Sequence, residues 1–476
     1  MDAAMSSGVE ATARIVHRAT PNPPTSAGSH TDADTEGSSN DTREDTENLK
    51  KALLRKYRHT VAVHSQVRPS TLSHDAPQTP SFIGFRNLGL IVLIAGNLRL
   101  LIENIQKYGV LICIRCHDFR RQDVKVGLVL YTLVPCCLML AYLIELFAAY
   151  EARTSRLKTF NSKKNGSSSP TLEEQARFRS TWYLIMGLHF ANISTALVIT
   201  SLVVYYYVNH PLIGTIVEMH AIIVWLKTAS YALTNRDFRH AYLHPQTGER
   251  EAIPELYESC KYPENITFGN LCYFWWAPTL VYQPVYPRND KIRWLFVLKR
   301  SAEVLGLCVA MWILSAQYAA PTLQNSLTTL RNRDVAGAAE RLLKLSTISL
   351  VIWLAGFFAL FQSFLNALAE VMRFGDRSFY DDFVFTISAF LHELAVGIPT
   401  HRIIGVAFAG MLLQLPLVAI TKSFEKSENP TKRMIGNCIF WVTFSIFGQP
   451  AAALLYFYAW QIKYGSISDK WRYGRT

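Results

Sequence analysis

No Gly-x-Ser-x-Gly elbow, no Walker loop and no His-Glu-x-x-His helix occurs in this chain of 476 residues. A histidine does precede a glutamate inside an apolar run, at His392-Glu393, but Val396 stands where a second zinc-binding histidine would be. A nucleic-acid-binding motif is missing too, which argues against nucleic acid as a partner. The eight cysteines, at 113, 116, 136, 137, 260, 272, 308 and 438, are scattered and make no disulfide framework. Cys113-Ile-Arg-Cys116-His117 matches the short pattern of c-type haem attachment. Nothing else resembles a cytochrome, so the pair reads as reduced and cytosolic or membrane-edge. The N-terminus lacks a basic stretch followed by an apolar run. No cleavable signal peptide is expected, and insertion is expected to use an internal segment. The apolar blocks lack strand alternation, which excludes a membrane β-barrel. No inverted repeat or pair of broken helices supports a transporter.

What is present is apolar and aromatic. Half of the residues are hydrophobic, with 10 Trp, 22 Tyr and 26 Phe, too many for an ordinary soluble protein. They come in blocks of about 20, the length an α-helix needs to cross the hydrocarbon core. The formal net charge is +12, and the basic residues gather between the blocks. That pattern suits anionic lipid headgroups or a phosphorylated co-substrate. The expected fold is therefore all-α, a polytopic membrane protein with about nine transmembrane helices around a buried reaction chamber.

Residues 1–80 are rich in Ser, Thr, Asp, Pro and Gly and read as a disordered cytosolic tail. Lys50-Lys-Ala-Leu-Leu-Arg-Lys-Tyr-Arg58 has the composition of a short basic helix. Residues 81–476 form the membrane domain. Its apolar segments fall at about 85–105, 127–149, 182–208, 212–234, 296–320, 343–368, 383–399, 403–421 and 435–461. Only Thr400-His-Arg402 separates the seventh from the eighth, which fits a tight luminal turn or two partly re-entrant segments. Arg153, Arg156, Lys158, Lys163, Lys164, Arg177 and Arg179 follow the second segment; Lys422, Lys426, Lys432 and Arg433 follow the eighth. With nine spans both loops share the side of the N-terminus, which places that terminus in the cytosol. Basic residues in the loop after the first segment make the bias modest. The sequon Asn265-Ile-Thr267 then faces the cytosol and stays bare. Asn270 to Pro284 is aromatic but short and Pro-bounded, which suggests an interfacial helix or a wall of a lipid entry.

Polar residues sit within the apolar blocks, among them Glu145, His189, Asn192, Glu218, His220, Lys227, Glu303, Asn366 and Glu370. Most are expected to join helices by hydrogen bonds. Glu218 and His220 are two apart and point to different faces. His392 stands in the middle of Ser388-Ala-Phe-Leu-His-Glu-Leu-Ala-Val-Gly-Ile-Pro399. Ser388, four residues earlier, shares its helical face. Glu393 points about 100° away. The eighth segment contributes Gln414 and the ninth Gly448-Gln-Pro450. A neutral imidazole here can take a proton from an alcohol; the alternative is a histidine satisfied by a packing hydrogen bond.

Several stretches together carry a resemblance. They are Asn97-Leu-Arg-Leu-Leu-Ile-Glu-Asn-Ile-Gln-Lys-Tyr-Gly109, Pro263-Glu-Asn-Ile-Thr267, Ala277-Pro-Thr-Leu-Val-Tyr282, Tyr286-Pro-Arg288, Pro321-Thr-Leu-Gln-Asn-Ser326, Glu340-Arg-Leu-Leu-Lys-Leu345, Phe374-Gly-Asp-Arg-Ser-Phe-Tyr380, Ser388 to Pro399 and Gly448-Gln-Pro450. From about Arg86 onward the chain resembles the membrane-bound O-acyltransferase superfamily, in the branch of diacylglycerol and sterol O-acyltransferases. Leu98-Arg-Leu, Pro-Thr-Leu-Gln-Asn-Ser and Gly-Gln-Pro resemble the diacylglycerol enzymes more than the sterol enzymes. The resemblance implies an endoplasmic-reticulum enzyme that moves a fatty acyl group from acyl-CoA to diacylglycerol and forms triacylglycerol. It implies His392 as general base, and Ser388, Glu393, Met411, Gln414 and Gln449 around the substrates, with Gln414 or Gln449 as an oxyanion donor. It implies no metal and no cofactor beyond acyl-CoA as co-substrate, membrane lipids as surroundings and a homo-oligomer.

One departure stands out. The family continues its Phe-Tyr-x-Asp motif with Trp-Trp-Asn, whereas Asp382 here runs directly into Phe383-Val-Phe-Thr-Ile-Ser388. About forty family residues are missing, and no residue inherits the role of that Asn. Both flanks match, so the cut reads as a skipped exon, an alternative transcript or a gene-model error. Two alternatives follow: a sterol or long-chain alcohol as acceptor, or an inactive truncated subunit that modulates a full-length enzyme.

Overall fold

The computed structural model describes residues 120–164, 172–243, 253–379 and 385–473, together with positions 64, 66–68, 84, 88 and 109. The expected tail helix at Lys50–Arg58, nearly all of the first expected span, the Cys113–Cys116 pair and the junction after Asp382 lie outside the described residues.

The apolar blocks fold as helices because only a helix satisfies every backbone N–H and C=O within its own segment. Seven helical rods are long and apolar enough to cross a membrane. The first runs through α1 (Arg121–Leu133) and α2 (Cys136–Lys164). Pro135 separates the two, because it has no N–H to continue the ladder. Next come α3 (Leu172–Tyr207) and α4 (Pro211–Leu243), the latter with proline at its first position, where the missing N–H costs nothing. A nine-residue helix, α5 (Phe268–Trp276), covers the aromatic stretch and is too short to cross. The fourth rod joins α6 (Trp294–Leu314) to α7 (Ala320–Arg331), and the fifth joins α8 (Val335–Phe357) to α9 (Leu365–Val371). After α10 (Phe385–Gly397), α11 (Val406–Glu425) is the sixth. The seventh joins α12 (Pro430–Val442) to α13 (Gln449–Tyr473).

These rods correspond to the second to sixth, eighth and ninth expected segments. The seventh is different. Its helix α10 is described over 13 residues, Phe385–Gly397, and is not among the seven long rods found in the described residues. It turns back through His401 and Gly405, both at positive φ, and packs against α11 as an antiparallel pair.

Each of the last three composite rods changes to a π-helix where its two α-helices meet, at Ser315–Ala319, Phe358–Phe364 and Thr443–Gly448. The second continues α8 itself, and the first and third pack on α8. Such wide turns recur at functional sites.

Polar residues in the spans do join helices. Glu145 on α2 accepts from His189 of α3 at 2.8 Å and from Arg239 of α4 at 2.6 Å. Asn192 donates to the Cys137 carbonyl. Ser201 of α3 donates to Glu218 at 2.6 Å, while His220 stacks on Tyr131 of α1. Lys227 donates to three carbonyls at the end of α5. Arg293 and Arg377 hold Glu370. Asn265 of the sequon is buried, and its amide donates to Asn235 and Tyr282.

Candidate active site

Helix α10 carries Ser388, His392 and Glu393. Ala395 and Ile398 seat it against α1, α3 and α4 through clusters that include Val134, Leu197, Ala221, Ile222, Val204 and Val217. At the turn that follows, a Cβ on Gly214 would stand 3.0 Å from Pro399. Any larger residue would push Pro399 and Val204 back by a few tenths of an ångström.

His392 is exposed on α10. Its Nδ1 lies 2.7 Å from the Ser388 carbonyl oxygen and 3.2 Å from Ser388 Oγ. A carbonyl only accepts, so Nδ1 holds the proton and Nε2 keeps its lone pair. Among the described residues no hydrogen bond engages Nε2.

Glu393 faces the other way and is 7% exposed. Gly405 N–H donates to Oε1 at 2.9 Å; Phe408 N–H donates to Oε2 at 3.1 Å. Tyr456 of α13 donates its hydroxyl to Oε2 at 2.6 Å. Helix α11 has no side-chain cap of its own, since its N-cap is Gly405 at φ +74°. Glu393 therefore supplies the cap from a neighbouring helix, where a carboxylate also meets the positive end of the helix dipole.

Met411 and Gln414 lie one turn apart on α11, with Gln414 Nε2 3.6 Å from Met411 Sδ. Both are partly buried. Gln449 opens α13 directly after the third π segment, and Ser349 of α8 donates to its Oε1. That contact leaves the amide N–H groups of Gln449 as donors. The six residues thus lie on three packed helices, α10, α11 and α13. Among the described residues, no hydrogen bond joins His392 to Gln414 or Gln449.

Two residues of this arrangement went unnoticed in the sequence. Tyr456 reads as one more aromatic of an apolar span, and Ser349 as a small residue on an apolar helix. Their partners are 63 and 100 positions away, so no local pattern marks them. Among the described residues no group of three or more His, Cys, Asp or Glu side chains gathers as metal ligands would.

No family model matches the chain. Curated relatives do. Diacylglycerol O-acyltransferase 1A of Glycine max is 33% identical over 446 residues, covering 84% of this chain and 83% of its own. Diacylglycerol O-acyltransferase 1-2 of Oryza sativa subsp. japonica is 33% identical over 84% of this chain and 86% of its own. Diacylglycerol O-acyltransferase 1 of Arabidopsis thaliana is 32% identical over 87% and 80%. The chain belongs to the diacylglycerol O-acyltransferases, a family of membrane-bound O-acyltransferases.

Proposed function

We propose that this chain transfers a fatty acyl group from acyl-CoA to the free hydroxyl of diacylglycerol, with His392 as general base. The observation that carries the reading is the bond from His392 Nδ1 to the Ser388 carbonyl at 2.7 Å. It orients the ring and presents the Nε2 lone pair. Nε2 takes the hydroxyl proton as the oxygen attacks the thioester carbonyl carbon. The tetrahedral intermediate collapses, the C–S bond breaks, and the sulfur leaves with the electron pair. The imidazolium then returns its proton to the CoA thiolate. The amide of Gln449, oriented by Ser349, or that of Gln414 stabilises the oxyanion. Ser388 and Met411 are read as contacts to the substrates, and Glu393 as a substrate neighbour through its place beside His392.

The membrane in question is that of the endoplasmic reticulum, with a cytosolic N-terminus, and the working unit is a homo-oligomer. The reaction uses no metal and no cofactor beyond acyl-CoA.

The experiment is triacylglycerol synthesis by this chain in membranes that lack their own such enzymes, supplied with acyl-CoA and diacylglycerol. Turnover supports the reading and makes the Trp-Trp-Asn loop dispensable. One observation favours a second reading: Asp382 runs straight into Phe383, without that loop. Under it the chain is an inactive subunit that modulates a full-length enzyme. Silence of well-inserted protein, with turnover restored by the loop, supports the second. Co-expression that leaves a full-length partner's activity and assembly unchanged counts against it.

A further inference from the structure

The three helices that carry all six candidate residues meet at one buried polar junction. Glu393 comes from α10, the N–H groups of Gly405 and Phe408 from the start of α11, and Tyr456 from α13. Tyr456 is both donor and acceptor there. Its hydroxyl donates to Glu393 Oε2 at 2.6 Å and accepts from Ala407 N–H at 3.2 Å. The tyrosine is 2% exposed. A Cβ on Gly397 would come within 3.1 Å of Glu393 Oε1 and 3.3 Å of the Arg402 carbonyl, so the end of α10 is closed tightly around the carboxylate.

The junction fixes α10 in two senses. It ties α10 to two long rods, α11 and α13. It also sets the rotation of α10, because Glu393 and His392 are adjacent and about 100° apart on the helix. With Glu393 held by three donors, the Cα–Cβ direction of His392 is set, and the bond from Nδ1 to the Ser388 carbonyl orients the ring from there. A shift of about 1 Å at a reacting group can cost on the order of 100-fold in rate.

We infer that Tyr456 is a positioning residue for the acyl transfer: through Glu393 and the start of α11, it sets the orientation of His392. The inference rests on the general-base reading of His392 and adds a residue to it. Glu393 in this view acts through its neighbour and need not touch substrate.

The test uses the full chain in membranes, with Tyr456→Phe and Glu393→Gln beside His392→Ala. Phenylalanine keeps the ring and removes only the hydroxyl. Hydrogen exchange of the amides at Gly405 to Phe408 is measured first, because it does not depend on turnover. Faster exchange in Tyr456→Phe and Glu393→Gln supports the clamp; exchange as slow as in the parent overturns it. Kinetics follow. The expected result for Tyr456→Phe is kcat about tenfold lower, with KM for acyl-CoA and for diacylglycerol unchanged. In the His392→Ala background the same substitution should lower the residual rate no further. An unchanged kcat, a raised KM alone, or fully additive losses would each overturn the assignment. Retained turnover in His392→Ala alone removes the base, and slow exchange in Tyr456→Phe alone removes the clamp, so the two failures are told apart.

Discussion

Lys227 drives its ammonium into the end of the aromatic helix: Nζ lies 2.8 Å from the Phe274 carbonyl oxygen and 4.9 Å from the centre of the Phe274 ring. Trp275 and Ala277 carbonyls take its other two protons, at 2.9 and 2.8 Å. A cation at a helix C-terminus is favourable, and here it satisfies carbonyls that the short helix leaves unpaired. Lys227→Met should abandon all three, at about 1–3 kcal/mol for each buried group left without a partner. The expected outcome is a lower melting temperature and poorer recovery in detergent. Lys227→Arg should not restore it, since a planar fork does not fit three convergent carbonyls. An unchanged melting curve for Lys227→Met would refute the role.

His392→Ala should abolish acyl transfer, by roughly 100-fold to 10,000-fold, the range of general acid–base catalysis. The fold should persist, because among the described residues the ring bonds only within its own helix. Rate and gel-filtration profile are measured together. Turnover close to the parent value would remove His392 as the base.

The acceptor is tested with labelled acyl-CoA and three alcohols in separate reactions. Diacylglycerol should be used in preference to cholesterol and to a long-chain alcohol. Equal use of cholesterol would sink the diacylglycerol assignment.

Position 376 predicts an acid-sensitive attachment. His64 is 2.8 Å from Asp376 and 2.8 Å from Thr279, and Arg68 donates to the same carboxylate at 2.7 Å. Burial by itself raises the Asp376 carboxyl. Hydrogen bonds from His64 and Ser378, with the charges of His64 and Arg68, outweigh it and hold the group below its ordinary value of 3.8. A carboxyl depressed in the folded state stabilises above its unfolded pKa, and that contribution fades as pH falls through the folded value. Attachment of His64 and Arg68 to Asp376 should therefore resist acid down to about pH 4 and be lost below it. Limited proteolysis across about pH 3–6, the carboxylate range, reads this. Asp376→Asn should weaken protection at neutral pH; protection equal to the parent at both ends would contradict it.

Asn265 should carry no glycan on either side of a membrane. Its amide is spent on Asn235 and Tyr282 inside the fold. Glycosidase treatment should leave the electrophoretic mobility unchanged. A shift that disappears in Asn265→Gln would show that this segment is reached before it folds.

The legible part of the fold was the part that repeats locally. Apolar blocks of about 20 residues mark spans wherever they occur, and six of the expected segments after the first reappear as the cores of rods, with α11 as the seventh. The length of α10 was less legible. Residues 383–399 are apolar except at a few positions, and the helix described there ends at Gly397. The turn after it packs against Gly214 of α4, a partner that lies across the fold. The candidate site divides the same way. Ser388 and His392 could be paired from their spacing, since four residues make one helical turn, and they do meet.

The sequence by itself determined that this is a helical membrane protein of the diacylglycerol O-acyltransferase family, with one histidine deep in an apolar segment. Hydrophobic length, helical period and motif spacing are properties of neighbours in the chain, and they survive without a structure. Only the tertiary structure decided that Glu393 caps α11, that Tyr456 completes the cap, that Ser349 orients Gln449 and that Lys227 closes α5. Each of those depends on a partner brought from 12 to 100 residues away. A buried polar atom takes whichever partner the packing of helices delivers to it, and no local pattern encodes that choice.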